Sequence, residues 1–120
     1  MVRSDAQLKN FLLNRLEPEL LSRIVPHFSL VELRHSEVLA ETHERIEKVY
    51  FPHSGIISCV VELAGGGAVE SGMIGNDGEF GASQALDDKV SLNHVVTQVG
   101  GVASVIASDR IREVADELRV

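Results

Sequence analysis

The 120-residue sequence predicts a mainly β domain with helices near its two ends. Apolar residues keep a helical spacing as far as Pro26, alternate from Phe28 onward, and return to helical spacing after Ser108. Between those switches, short apolar runs are parted by turn residues at intervals of about 8–12 residues, the rhythm of a sandwich or barrel. The longest such runs, such as Ile56 to Val61, are far too short to span a bilayer as a helix.

The elements follow in order. Leu8, Phe11, Leu12 and Leu16 share one helical face. Pro18 opens a second segment, where a missing N–H costs nothing, and Leu20, Leu21, Ile24 and Val25 continue the stripe until Pro26 ends it. Helix is therefore expected over residues 8–26. Val31 and Leu33 then alternate with Glu32 and Arg34, and Val38-Leu39-Ala40 and Val49-Tyr50-Phe51 form short strands. The second of these is closed by the turn sequence Pro52-His53-Ser54-Gly55. Ile57, Cys59 and Val61 share one face of the next strand. Ala64-Gly65-Gly66-Gly67 folds it back on Val69 to Met73 as a hairpin. Two more strands, Val95 to Val99 and Val102 to Ile106, flank Gly100-Gly101. A short helix is expected near 80–86. The final helix, 108–119, takes Ser108 as N-cap, Asp109 at its positive end, and Ile111, Val114, Ala115 and Leu118 as its apolar stripe. It carries no Gly or Pro stop signal, so the chain reads as a fragment of a longer protein.

Composition narrows the function. With 44% hydrophobic and 24% charged residues the chain is a folding sequence of one-domain size. Its net charge is −7, from 11 basic and 18 acidic residues, and Glu62 to Lys89 holds six acids and one base. Nucleic-acid and anionic-membrane binding draw on clustered Lys and Arg, and this fragment offers no such cluster. Met1-Val2-Arg3-Ser4-Asp5 leads into mixed residues, not an apolar signal core. The single Cys59 suits a reducing compartment, so a cytoplasmic protein is expected, with Cys59 as a small core residue.

Catalytic and metal patterns are weak. The five histidines, His27, His35, His43, His53 and His94, never pair at the spacings that place two ligands on one face. His35, His43 and His53 fall in expected turns, as solvated side chains. No GxSxG elbow or reactive-cysteine context exists. Gly72-x-x-Gly75-x-x-Gly78 lacks the Lys and Ser/Thr of a phosphate-binding loop, and Gly72 and Gly75 are read as tight turns with positive φ. Gly78-Glu79-Phe80-Gly81 differs: it can open a short helix whose N–H groups face an anion, with Glu79 as a hydroxyl acceptor.

Taken in order, several segments resemble the N-terminal sensor domain of the Crp/Fnr family of bacterial transcription regulators. They are Leu20-Leu21 with Pro26-His27-Phe28, Val31 to Leu39, Ile46 to Gly55, Gly72-Met73-Ile74-Gly75 and Gly78-Glu79-Phe80-Gly81. The stretch Val49-Tyr50-Phe51-Pro52-His53-Ser54-Gly55 is the most specific. The resemblance implies a cyclic nucleotide-binding-like fold, a double-stranded β-helix or jelly-roll-like barrel of eight strands with flanking helices. Residues 1–27 would be the N-terminal helical segment, 28–107 the β-roll and 108–120 the C-terminal helix of one sensor domain. It further implies a small-molecule effector, a homodimeric parent, and DNA contact through a C-terminal domain absent from this chain. In members that bind cyclic nucleotide, the Gly-Glu pair contacts the ribose, and an Arg followed by Ser, Thr or Ala holds the phosphate. Here that place falls on Asn93-His94-Val95, which has neither the arginine nor the hydroxyl.

The expected effector is therefore not cAMP. Gly78, Glu79, Phe80, Gly81, Asn93, His94 and Val95 are the candidate ligand-binding residues, with no catalytic residue, metal or cofactor. Lys89, flanked by Asp87 and Asp88, is a poor replacement for the arginine, and Arg110 or Arg112 of the last helix is the better one. Two alternatives stand beside the sensor: a cupin-like metal-binding or enzymatic barrel, and a ligand-free interaction module.

Overall fold

The computed structural model describes residues 10–87 and 90–118. The expected start of the first helix at Leu8, the stand-in cation Lys89 and the end of the last helix lie outside them. The chain opens with α1 (Phe11–Asn14), α2 (Pro18–Ile24) and a 3-10 turn (Val25–His27). Five strands follow: β1 (Ser29–Leu33), β2 (Val38–Ala40), β3 (Lys48–Pro52), β4 (Ile56–Glu62) and β5 (Ala68–Ile74). After α3 (Ala82–Asp87) come β6 (His94–Val99), β7 (Gly101–Ala107) and α4 (Ser108–Glu117).

The strands form two antiparallel sheets, ordered β1-β7-β3 and β2-β6-β4-β5. Period-two alternation sorts their side chains into two cores. Val49, Phe51 and Ile106 project from the three-stranded sheet toward Leu13, Leu21, Ile24, Ala85 and Val114 of the helices. Leu33, Ala103 and Val105 project the other way, meeting Ala40, Ile57, Phe80 and Val95 inside the roll. The three-stranded sheet is thus a middle layer, covered on both faces. Each large side chain buried in it stabilises the fold by about 1.5–3 kcal/mol. Phe28 closes the helix-side core edge-on against Phe51, with ring centroids 5.6 Å apart.

Among the described residues there are seven strands, one fewer than the resemblance implies. Where an eighth could run, pairing shrinks to two single bridges, Arg45 with Val90 and Tyr50 with Phe80. Phe80 exchanges both backbone bonds with Tyr50, at 2.9 Å each, and Gly81 then turns the chain into α3 at φ 108°. That turn also moves the short helix from the expected 80–86 to Ala82–Asp87.

Other expectations shift for local reasons. The first helix is interrupted at residues 15–17, because the residue before a proline avoids helical backbone and Glu17 sits at φ −55°, ψ 138°. The capping residue of α1 is Asn10. Its Oδ1 accepts the Leu13 N–H at 2.9 Å, and its Nδ2 donates to the carbonyls of Pro52 (2.6 Å) and Gly78 (3.0 Å). Ser108 is not the N-cap of α4. The cap position is Ala107, still paired in β7, and Ser108 is buried with its hydroxyl donating to the Ile46 carbonyl at 3.0 Å. Gly72 lies within β5 opposite Cys59, and neither it nor Gly75 has positive φ. The glycines that do are Gly55, Gly66 and Gly81. His53 is not solvated: it is 6% exposed, with Nε2 2.7 Å from the Ser104 hydroxyl.

Candidate functional site

The Gly78–Gly81 segment is shaped by its neighbours. A turn closed by the Gly78 N–H on the Gly75 carbonyl (3.2 Å) brings the chain off β5. Phe80 is buried, its ring 6.4 Å from that of Tyr50 and tilted by 32°. The Gly81 carbonyl accepts the Ala85 N–H at 2.8 Å, so α3 starts immediately after it. Glu79 folds over that start, Oε2 accepting the Ala82 N–H at 2.8 Å. Burial pushes the Glu79 carboxyl pKa above its ordinary value, and the Ala82 bond offsets this only in part. The anion at the mouth of α3 is therefore Glu79 itself.

The second candidate segment splits across the sheet. Val95 lies opposite Cys59, fully buried in the inner core. His94 pairs with Val60 and so faces the outside of the four-stranded sheet, where Nδ1 lies 2.7 Å from Glu41 Oε1. Asn93 reaches the Ser71 hydroxyl at 3.3 Å, and its backbone is held by the Ser91 hydroxyl. Adjacent residues of a strand face opposite ways, so the structure does not bring His94 and Val95 together: His94 has the outer face. Arg110 is 3.0 Å from Glu113, whereas Arg112 donates to the Ala85 carbonyl at 3.1 Å and engages Asp109.

Two hollows open on the roll beside Tyr50, and neither is lined by residues 93–95. One, of about 180 Å³, is lined by Leu39, Ala40, Ile46, Tyr50 and Phe80 and by the charged Glu44, Arg45, Glu47 and Lys48. The other, of about 110 Å³, shares Leu39, Lys48 and Tyr50 and reaches Val31, Leu33 and Glu37. Burial, with the Glu37 and Glu44 carboxylates behind it, raises the Tyr50 phenol above its ordinary pKa. Of the expected ligand residues, Phe80 alone lines this cleft.

No group of three or more His, Cys, Asp or Glu side chains converges as a metal site among the described residues. No helix among them is long and apolar enough to cross a membrane.

Comparison with solved structures places this architecture. The regulatory domain of Toxoplasma gondii PKA, crystallised with cAMP, superposes with a TM-score of 0.77 at 19% identity, over 90% of this chain and 43% of that one. The chain has the cyclic nucleotide-binding fold. The Thermus thermophilus catabolite activator protein matches with a TM-score of 0.74 at 16% identity, over 89% of this chain and 50% of that one. The sensor domain of the transcriptional regulator DNR from Pseudomonas aeruginosa gives 0.74 at 13% identity, over 94% and 76%. The chain thus spans half or less of the first two neighbours. No family model and no curated protein matches the sequence. Among these neighbours of the cyclic nucleotide-binding fold are a kinase regulatory domain, a catabolite activator protein and the sensor domain of a transcriptional regulator.

Proposed function

We propose that this chain is the effector-sensing domain of a Crp/Fnr-type transcription regulator, that it changes nothing chemically in its ligand, and that its effector is not cAMP. The parent is read as a cytoplasmic homodimer that reaches DNA through a further domain. The fold supports the sensor reading, and the likeness to a sensor domain and to a catabolite activator supports the regulator reading.

One observation carries the exclusion of cAMP: the place of the phosphate-binding arginine falls on Asn93-His94-Val95, where His94 faces the outer side of the sheet against Glu41 and Val95 is buried in the core. A buried cyclic phosphate needs amide donors and a bidentate cation to offset its desolvation. Here the Asn93-His94-Val95 segment supplies an amide, an imidazole on the outer face and a buried valine, with no arginine among them. Losing one charge-assisted bond costs about 1.5–3 kcal/mol, and leaving a buried charge unpaired costs more. Isothermal titration should show no cAMP binding tighter than about 10 μM, a free energy near −7 kcal/mol. Tighter binding would overturn this reading of the effector. With a net charge of −7 the chain alone should leave a DNA probe unshifted at physiological salt.

A further inference from the structure

We propose that the cleft beside Tyr50 is a binding site for a small organic ammonium ion, its charge held between Glu37 and Glu44 and its apolar body laid against the Tyr50 and Phe80 rings. This stands independently of the transcription-regulator reading, since it concerns a different part of the roll from residues 93–95.

The cleft is built before any ligand arrives. Tyr50, the chain's only tyrosine, extends its ring into both hollows, and no described residue hydrogen-bonds its hydroxyl. A half-buried phenol with no internal partner is a polar group waiting on solvent or a ligand. The two carboxylates that act on it are fixed by the turns they close. Glu37 Oε1 accepts the Arg34 N–H at 3.1 Å, and Glu44 Oε1 accepts the Glu41 N–H at 2.8 Å. Each is therefore held in one orientation at little further entropic cost on binding.

The chemistry of the walls selects the guest. Glu32, Glu37, Glu44 and Glu47 stand against Arg45 and Lys48, four carboxylates to two cations, so an anion meets a net negative lining. A bare divalent metal ion needs six or more oxygen ligands, whereas much of this cleft is aliphatic and aromatic. An ammonium ion on an apolar body satisfies both parts. Its charge is attracted to the carboxylates and to the faces of the tilted ring pair, and its body covers Leu39 and the rings.

The test compares two probes with one ring and opposite charges, phenethylamine and phenylacetate, titrated into the chain by calorimetry and by two-dimensional amide NMR. Phenethylamine should bind about tenfold or more tightly than phenylacetate, a difference of about 1.4 kcal/mol. Its shift changes should centre on residues 37–50 and 80, and its affinity should fall with added salt. The pair E37Q and E44Q should erase the preference. Each glutamine retains an oxygen for its turn bond, so an unchanged circular dichroism spectrum would separate loss of charge from loss of fold. Tyr50→Phe should weaken phenethylamine about threefold to tenfold. Equal affinity for the two probes, no binding of phenethylamine, a preference that survives the double substitution, or shifts centred elsewhere would each overturn the assignment.

Discussion

Gly81→Ala probes the junction on which α3 and the Phe80 bridge both depend. Gly81 has φ 108°, well into the region that side chains avoid. A Cβ there would lie 2.7 Å from the Lys48 carbonyl oxygen and 3.1 Å from Ile46 Cγ2. The carbonyl has little room to retreat, because Lys48 is paired with Ala107 in the β3–β7 ladder. Backbone strain contributes about 1–3 kcal/mol and the overlap about 1–3 kcal/mol, so the substitution should cost about 2–6 kcal/mol. Against a typical domain stability of about 5–15 kcal/mol that is a large fraction. Urea unfolding followed by circular dichroism should show the midpoint falling by about 1–3 M, given a slope near 1–3 kcal/mol per molar urea. Two controls divide the effect. Gly66→Ala shares the positive φ, 94°, but meets nothing within 4 Å, so it should lose only the strain part. Gly65→Ala has neither feature and should stay within about 0.5 kcal/mol of wild type. If Gly81→Ala proved no worse than Gly66→Ala, the close approach to Lys48 would carry no energy and the reasoning would fail.

Asn10→Ala should destabilise the fold by about 2–4 kcal/mol in the same urea assay, since it removes a fully buried cap and the two bonds donated to the Pro52 and Gly78 carbonyls. Asn10→Asp should be no better, because it retains the cap oxygen but sets a carboxylate against the Pro52 and Gly78 carbonyls. Glu79 should give a pH signature. Its folded pKa is raised, so its contribution is fully present below the ordinary carboxyl range near 4.3 and is lost as pH rises through the raised value. Glu79→Gln, which can still accept the Ala82 N–H, should therefore gain on wild type at neutral pH and lose that advantage near pH 4, measured as thermal midpoints across pH. His94→Ala should cost less than about 1 kcal/mol, because its partner Glu41 is largely exposed.

The sequence made the layers legible, and the reason is physical. Val49, Tyr50 and Phe51 are three consecutive apolar residues in a strand, which requires apolar surroundings on both faces. The middle sheet provides them, with Val49 and Phe51 toward the helices and Tyr50 toward the roll. What stayed hidden depends on contacts remote in sequence. Gly100-Gly101 reads equally well as a hairpin turn or a crossing, and only the fold decides, by running β6 and β7 into different sheets. The crossing needs glycine because the backbone of the Pro52–Gly55 turn lies against it: a Cβ on Gly101 would sit 2.2 Å from the Ser54 carbonyl oxygen. The site divides the same way. A Gly-Glu pair before a short helix was visible as an acceptor near an anion, but not that the acceptor would turn onto its own helix. The cleft was missed because Tyr50 in an alternating strand reads as core. One signal was nonetheless present. Of the three residues in that run only tyrosine carries a hydroxyl, and burying it in the roll without a partner would be costly, so the roll had to open beside it. The hollows that share Tyr50 are that opening.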